Sequence, residues 1–208
     1  PQLESGCGDH VDPCYRLRCS LRAASRARPV WHRDAPSGAE QRHTRYPAIM
    51  MRMIAAIDSR GGLATDDGIP WTLPTDQKFF VETTRSGVIL MGFGTYVEFH
   101  SPMHGRTNYV ATRRTSALKS GFVRVPDAAE FVCDHADETI DNIGGAGLFR
   151  STLSLADELV LTRIDVDFHC TKFFPPFERD FRLVTESHPI EENGVRFTFQ
   201  MWRPHRAR

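Results

Sequence analysis

Residues 53–76 read MIAAIDSRGGLATDDGIPWTLPTD, and the stretch runs from a strand through a glycine loop into a helix. Met53 to Ile57 is a short unbroken apolar run, the form of a strand covered on both faces. Gly61-Gly62 and Asp66-Asp67-Gly68 mark the loop. Pro74 suits the first turn of a helix, where a missing N–H costs nothing, and Asp76 suits the positive N-terminal end, so the pattern predicts a helix over 74–84. Downstream the alternation repeats. Strands are predicted at 88–92, 108–112, 122–125 and 158–164, with short helices at 94–99, 127–132 and after Gly144-Gly145. Two more strands are predicted in the tail, at 181–185 and 195–202. Strands alternating with short helices predict an α/β sheet, mostly parallel at its centre. Ligands on such sheets bind at the carboxyl ends of the strands.

The whole chain has 208 residues and no formal net charge, which offers no global attraction to nucleic acid or to an anionic membrane. No apolar run approaches the roughly 20 residues of a membrane-spanning helix, and no signal peptide is visible. The average hides an uneven chain. Residues 1–49 hold eight arginines against five acids, a net +3, with no Lys, Met or Phe. Their apolar residues follow no period, and such a segment cannot bury enough surface to offset its ordering entropy. It is read as a disordered Arg-rich arm or an upstream-translated extension, with the folded domain spanning 50–208. Cys7, Cys14 and Cys19 lie in the arm at no common zinc spacing. Cys133 and Cys170 read as reduced thiols, which fits the cytoplasm.

Several residues could carry chemistry, each with a plainer reading beside it. Asp76 sits between Leu73 and Phe79-Phe80. A carboxylate with apolar walls can accept two parallel hydrogen bonds from an amino-heterocycle, and burial raises its pKa; it could equally be a surface acid offsetting the helix dipole. Gly144-Gly145-Ala146-Gly147 joins a strand to a helix and could let backbone N–H groups reach a pyrophosphate, or be a turn. Thr95, after Phe93-Gly94, is a phosphate contact or a helix cap. Thr112-Arg113-Arg114 ends a strand and could grip a phosphomonoester or lie in solvent. Arg106 is a carboxylate ligand or a solvated turn residue. No nucleophile elbow, HExxH or CxxC is present, and nine histidines are scattered without a metal-binding cluster.

Residues 69–76, Ile-Pro-Trp-Thr-Leu-Pro-Thr-Asp, make the pattern specific. Taken with Ile54-Ala55-Ala56, Val88 to Gly92 with Thr95, Gly105-Arg106, Ile143-Gly144-Gly145, Leu161 to Ile164 and Phe173-Phe174-Pro175, the chain resembles dihydrofolate reductase of the bacterial type over essentially all of 50–208. The resemblance implies a single domain with a central eight-stranded, mostly parallel sheet, an antiparallel C-terminal edge and flanking helices. It implies NADPH-dependent reduction of 7,8-dihydrofolate to tetrahydrofolate, hydride passing to the pterin while N5 gains a proton, in a cytoplasmic monomer whose partners are small molecules.

By the same resemblance, Asp76 holds the pterin's 2-amino group and ring nitrogen, Thr162 supports it, and Trp71 closes over the nicotinamide with the 58–72 loop. Ile54, Ala55, Gln77, Phe80, Phe99, Met103 and Ile143 line the substrate slot, and Arg106 binds the glutamate α-carboxylate. Ala56, Leu63, Phe93, Gly94, Thr95, Thr112, Arg113 and Arg114 face the cofactor, as do Gly144, Gly145, Ala146, Gly147, Leu148 and Phe149. The Gly144–Gly145 bond is expected to be cis.

Some positions depart from the family pattern. Phe93 and Gly147 stand where basic residues usually help hold the cofactor phosphates, so Arg113, with Thr112 and Arg114, is expected to supply the 2′-phosphate contact. Cys170-Thr171-Lys172 replaces a common Gly-Asp-Thr that braces the active-site loop. Gln77 and Phe99 are expected to weaken antifolate binding. Two rival readings are a pyrimidine reductase of riboflavin synthesis, which lacks the buried acid, and a catalytically weak folate- or NADPH-binding homologue.

Overall fold

The computed structural model describes residues 51–205 apart from Ser86, Ala136 and Asp137; the arm at 1–49 lies outside the described residues. The strands are β1 (Met51–Ile57), β2 (Gly62–Ala64), β3 (Gly87–Gly92), β4 (Arg106–Ala111), β5 (Phe122–Val125), β6 (Ile140–Asn142), β7 (Glu158–Ile164), β8 (Lys172–Phe173), β9 (Phe181–Glu186), β10 (Ile190–Glu192) and β11 (Val195–Pro204). The helices are α1 (Pro74–Thr83), α2 (Phe93–Glu98), α3 (Ala128–Asp134) and α4 (Ala146–Thr152).

Nine strands form one sheet in the order β10-β11-β7-β1-β6-β3-β4-β5, with β9 also on β11. From β7 to β5 every pair is parallel, and β11 joins β7, β9 and β10 antiparallel. The α/β class and the antiparallel edge are as the sequence predicts, but the expected eight strands become nine. The short β10 is one that periodicity misses. It is defined by pairing with β11 across Asn193-Gly194, both at positive φ, the two-residue hairpin loop that Asn-Gly favours. A separate ribbon of β2 and β8 lies outside the main sheet.

The core follows from the period-2 geometry of strands buried on both faces. On β3, Val88 and Leu90 join the cluster containing Met51, Met53, Phe149 and Leu159. Their neighbours Ile89 and Met91 join Tyr96, Val110 and Phe122 on the other face. Helix α1 is the exception, since none of its residues is buried. Its residues Phe79, Phe80 and Val81 line an open cleft. Two guanidiniums tie down its C-terminal end. Arg52 donates to the Thr83 carbonyl at 2.9 Å and Arg106 to those of Thr84 and Val81, a favourable pairing with the helix dipole. Cys170 is a free, buried thiol; Cys133, expected to be reduced, is disulfide-bonded.

Candidate active site

A cleft of about 1370 Å³ opens at the carboxyl ends of the parallel strands, larger than the few hundred Å³ that hold one small ligand. Its lining includes Ile54, Ala55 and Ala56 from β1, Gly92 from β3, Ala111 from β4, Ile143 after β6 and Thr162 from β7. Register brings them together: Ala56 lies opposite Thr162, and Met53 opposite Asn142.

Asp76 sits in the first turn of α1, in the cleft wall. Thr162, itself buried, donates its hydroxyl to Asp76 Oδ1 at 2.5 Å. Burial pushes the Asp76 carboxyl above its ordinary pKa; the Thr162 hydrogen bond works against this, and the nearby Glu192 carboxylate adds to it. Asp76 shares the cleft lining with Leu73, Phe79 and Phe80. A carboxylate so placed can bind and orient a planar cation or amino-heterocycle and favour a protonated form of it. Phe79 stacks on Phe199 at 4.0 Å between centroids, which props α1 against β11.

The other arm of the cleft is built on glycine. The Gly144–Gly145 bond is cis, as expected. Gly144 has φ +90°, and a Cβ there would run into the Phe149 ring, so only glycine fits. The buried Asn142 side chain accepts from Gly144 N at 2.9 Å and donates to Thr152 Oγ1 at 2.9 Å, while Gly144 O accepts from Gly92 N at 2.5 Å. These bonds bring the ends of β3 and β6 together, with Thr95, Gly145, Ala146, Gly147, Leu148 and Phe149 lining the cleft.

Most of the residues singled out from the sequence meet here. Trp71, Gln77, Phe80, Phe99, Met103, Leu63, Phe93, Gly94, Thr112 and Arg113 also line the cleft. Arg106, Arg114 and Gly144 do not. Arg106 is spent on the end of α1 and on the His104 carbonyl. Arg114 lies over the Phe93 ring, 4.5 Å from its centroid.

Sequence reasoning missed three residues that shape the site. Asn142 carried a weak signal, a polar residue beside the glycine pair. Glu192, on β10, gave none. Asp58 follows β1 with 0% exposure, and its carboxylate accepts from the backbone N–H of Arg60 at 2.9 Å, Gly62 at 2.6 Å and Phe168 at 3.2 Å. Burial pushes its pKa up, but these hydrogen bonds and one from the Cys170 thiol outweigh it, and the net shift is downward. The same burial and the Asp58 charge push the Cys170 thiol up to about 11. Asp58 thus joins the loop after β1 to the segment before β8. Thr171 N–Ala64 O at 3.0 Å and Phe174 N–Gly61 O at 2.9 Å continue the seam.

A family model described as dihydrofolate reductase matches residues 50–204. Dihydrofolate reductase of Bacillus subtilis is 29% identical over 158 residues, a match covering 74% of this chain and 94% of the relative. A putative dihydrofolate reductase of Caenorhabditis elegans is 30% identical over 181 residues, covering 74% and 96%. A bifunctional dihydrofolate reductase-thymidylate synthase of Arabidopsis thaliana is 28% identical, and the match spans 34% of that longer protein. In three dimensions the chain is similar to dihydrofolate reductase from Enterococcus faecalis complexed with NADP(H) and RAB-propyl. The TM-score is 0.69 and the identity 24%, covering 76% of this chain and 97% of that one.

Proposed function

Since the chain belongs to the dihydrofolate reductase family, we propose that Asp76 and Thr162 hold the pterin ring in the cleft and favour its protonated form as hydride arrives. The protein is an oxidoreductase, an NADPH-dependent dihydrofolate reductase that converts 7,8-dihydrofolate to 5,6,7,8-tetrahydrofolate. The observation that carries the residue assignment is the Thr162–Asp76 hydrogen bond in a cleft that Phe79 and Phe80 also line. Asp76 accepts from the pterin's 2-amino group and ring nitrogen, two donors matched to one carboxylate. Ile54, Ala55, Gln77, Phe80, Phe99, Met103 and Ile143 enclose the ring system and its benzoyl extension.

The glycine arm suits a dinucleotide. Its donors are the Thr95 hydroxyl and the backbone N–H groups of the 145–148 turn, neutral groups of the kind that cradle a pyrophosphate, and Arg113 adds a cation for a phosphomonoester. When bound, NADPH supplies the hydride. Trp71, packed on Phe168 at 5.3 Å, and the 58–72 loop keep water from the reacting edge. Arg106 gives three of its five N–H donors to the carbonyls of Thr84, His104 and Val81, and the remaining two are proposed to bind the substrate's α-carboxylate. Asp76 also favours this reading over a pyrimidine reductase.

The folded unit at 50–208 is read as carrying the reaction without the arm, as a cytoplasmic monomer; the described residues that line the cleft all fall between Ile54 and Lys172. A chain starting at Met50 that matched the full chain in melting temperature, turnover and sedimentation mass would bear this out. The deciding experiment is NADPH oxidation with dihydrofolate in the parent and in Asp76→Asn. Turnover in the parent that collapses in a folded variant supports the assignment. Tight ligand binding without turnover in the parent would make the chain a binding homologue.

A further inference from the structure

We propose that Glu192, on the β10–β11 hairpin, is a positioning residue for the reductase reaction: it clasps the first turn of α1 from another strand, and its charge sets the pH range over which Asp76 works. The proposal rests on the reading of Asp76 as the pterin-holding group.

Helix α1 has no cap of its own. Leu73 occupies the N-cap position and offers no side-chain hydrogen bond, and Pro74 follows. The first free N–H, that of Thr75, would have no local acceptor. Glu192, 117 residues away, fills the gap: its Oε2 accepts from Thr75 N at 3.1 Å and its Oε1 from the Thr75 hydroxyl at 3.0 Å. The next residue, Asn193, donates to the Thr72 carbonyl at 2.9 Å. The hairpin therefore holds both ends of the 72–75 turn, and Asp76 is the residue that follows. A carboxylate at this end of a helix also complements the helix dipole.

The charge reaches Asp76 as well. Glu192 is half-buried, which weakens screening by salt. Among the described residues, the cations on the elements around Asp76 are engaged elsewhere. Thr162 from β7 and Phe199 from β11 are neutral, Arg163 beside Thr162 pairs with Glu178 at 3.7 Å, and Lys78 on α1 pairs with Glu82 at 4.0 Å. Lys172, a cation in the cleft lining, is engaged by the Thr65 carbonyl at 3.1 Å. The Glu192 carboxylate acts on Asp76 as a like charge and raises that carboxyl's affinity for a proton. Its negative charge acts with the same sign on a pterin nitrogen held beside Asp76.

Glu192→Gln keeps the length and an acceptor oxygen for Thr75 but removes the charge. Two measurements on the full chain test the proposal. One is the titration of the Asp76 carboxyl in the unliganded protein by NMR with 13C-labelled aspartate, the signal assigned by its loss in Asp76→Asn. The other is the pH profile of single-turnover hydride transfer. The expected result is a downward shift of both midpoints by roughly half a unit, with about a threefold rate loss on the alkaline limb. Glu192→Asp, which keeps the charge, is expected to stay near the parent midpoints. Unchanged midpoints in Glu192→Gln, a uniform rate loss at every pH, or an equal shift in Glu192→Asp would each overturn the proposal. If the parent does not reduce dihydrofolate, the functional reading fails, while the NMR titration still decides whether Glu192 acts on Asp76.

Discussion

Thr162 and Asp76, 86 residues apart in sequence, meet at 2.5 Å where β7 faces the first turn of α1. The contact takes a hydroxyl that would otherwise be one more strand residue and makes it the partner of the cleft's half-buried acid. It also leaves one carboxylate oxygen for a ligand.

Replacing Asp76 by Asn separates activity from stability. Turnover is expected to fall by roughly 100-fold or more, the range for loss of a positioned acid. Stability moves the other way. The folded carboxyl binds its proton more tightly than the unfolded one, so its contribution is greatest below the unfolded pKa and is lost as pH rises through the folded value. At pH 8 the ionised carboxylate therefore costs stability, and Asp76→Asn is expected to raise the melting temperature there. Scanning calorimetry at pH 8, beside an activity assay, checks both.

Gly144 and Gly147 are three residues apart and should respond oppositely to alanine. At Gly144, φ is +90° and a Cβ would overlap the Phe149 ring. Gly144→Ala is expected to lose about 2–3 kcal/mol of stability and to weaken NADPH binding. At Gly147 nothing lies within 4 Å, and the residue is inside α4. Gly147→Ala is expected to gain about 0.5–1 kcal/mol from helix propensity. Urea titrations of the two variants measure the contrast.

Asp58 is the keystone of the loop after β1. Asp58→Ala leaves three backbone N–H groups without their acceptor, which is expected to cost about 3 kcal/mol or more. The same bonds hold the folded carboxyl below its ordinary value of 3.8. The contribution of Asp58 is thus full above the unfolded pKa and is lost only as pH falls through the lower folded pKa. The stability gap between parent and Asp58→Ala should stay constant from pH 8 to 5 and narrow below about pH 4. Chemical denaturation across that range tests it.

Arg113 is the guanidinium in the cofactor arm of the cleft lining, because Arg114 is held over Phe93 and Arg124 is bound to the carbonyls of Thr115 and Ser116. Arg113→Ala is expected to weaken NADPH binding roughly tenfold or more and leave NADH binding nearly unchanged, since only NADPH carries the extra phosphate. Fluorescence titration at two salt concentrations checks this. The loss should shrink as salt rises.

Much of the fold was readable because it rests on local rules. The apolar runs that became β3, β5 and β7, the Pro74 start of α1 and the glycine junction before α4 all follow from periodicity and turn chemistry. Asp127 was read as the first residue of a helix and proves to be its cap, accepting from Ala129 N and Glu130 N. β10 escaped because three residues have no period, although Asn193-Gly194 announced the hairpin. The contacts of Arg106 with the last carbonyls of α1 were not readable, because the sequence does not show that they end within its reach.

The sequence by itself determined most of the longer strands and helices, and that Asp76, the glycine pair and Trp71 stand near their ends, because spacing along a covalent chain dictates which side chains share a face. Tertiary structure alone decided what Asp76 is chemically. Its depth, the Thr162 hydroxyl and the Glu192 carboxylate come from three parts of the chain. Proton affinity depends on distances through space and on exclusion of water, and neither is written in the order of residues.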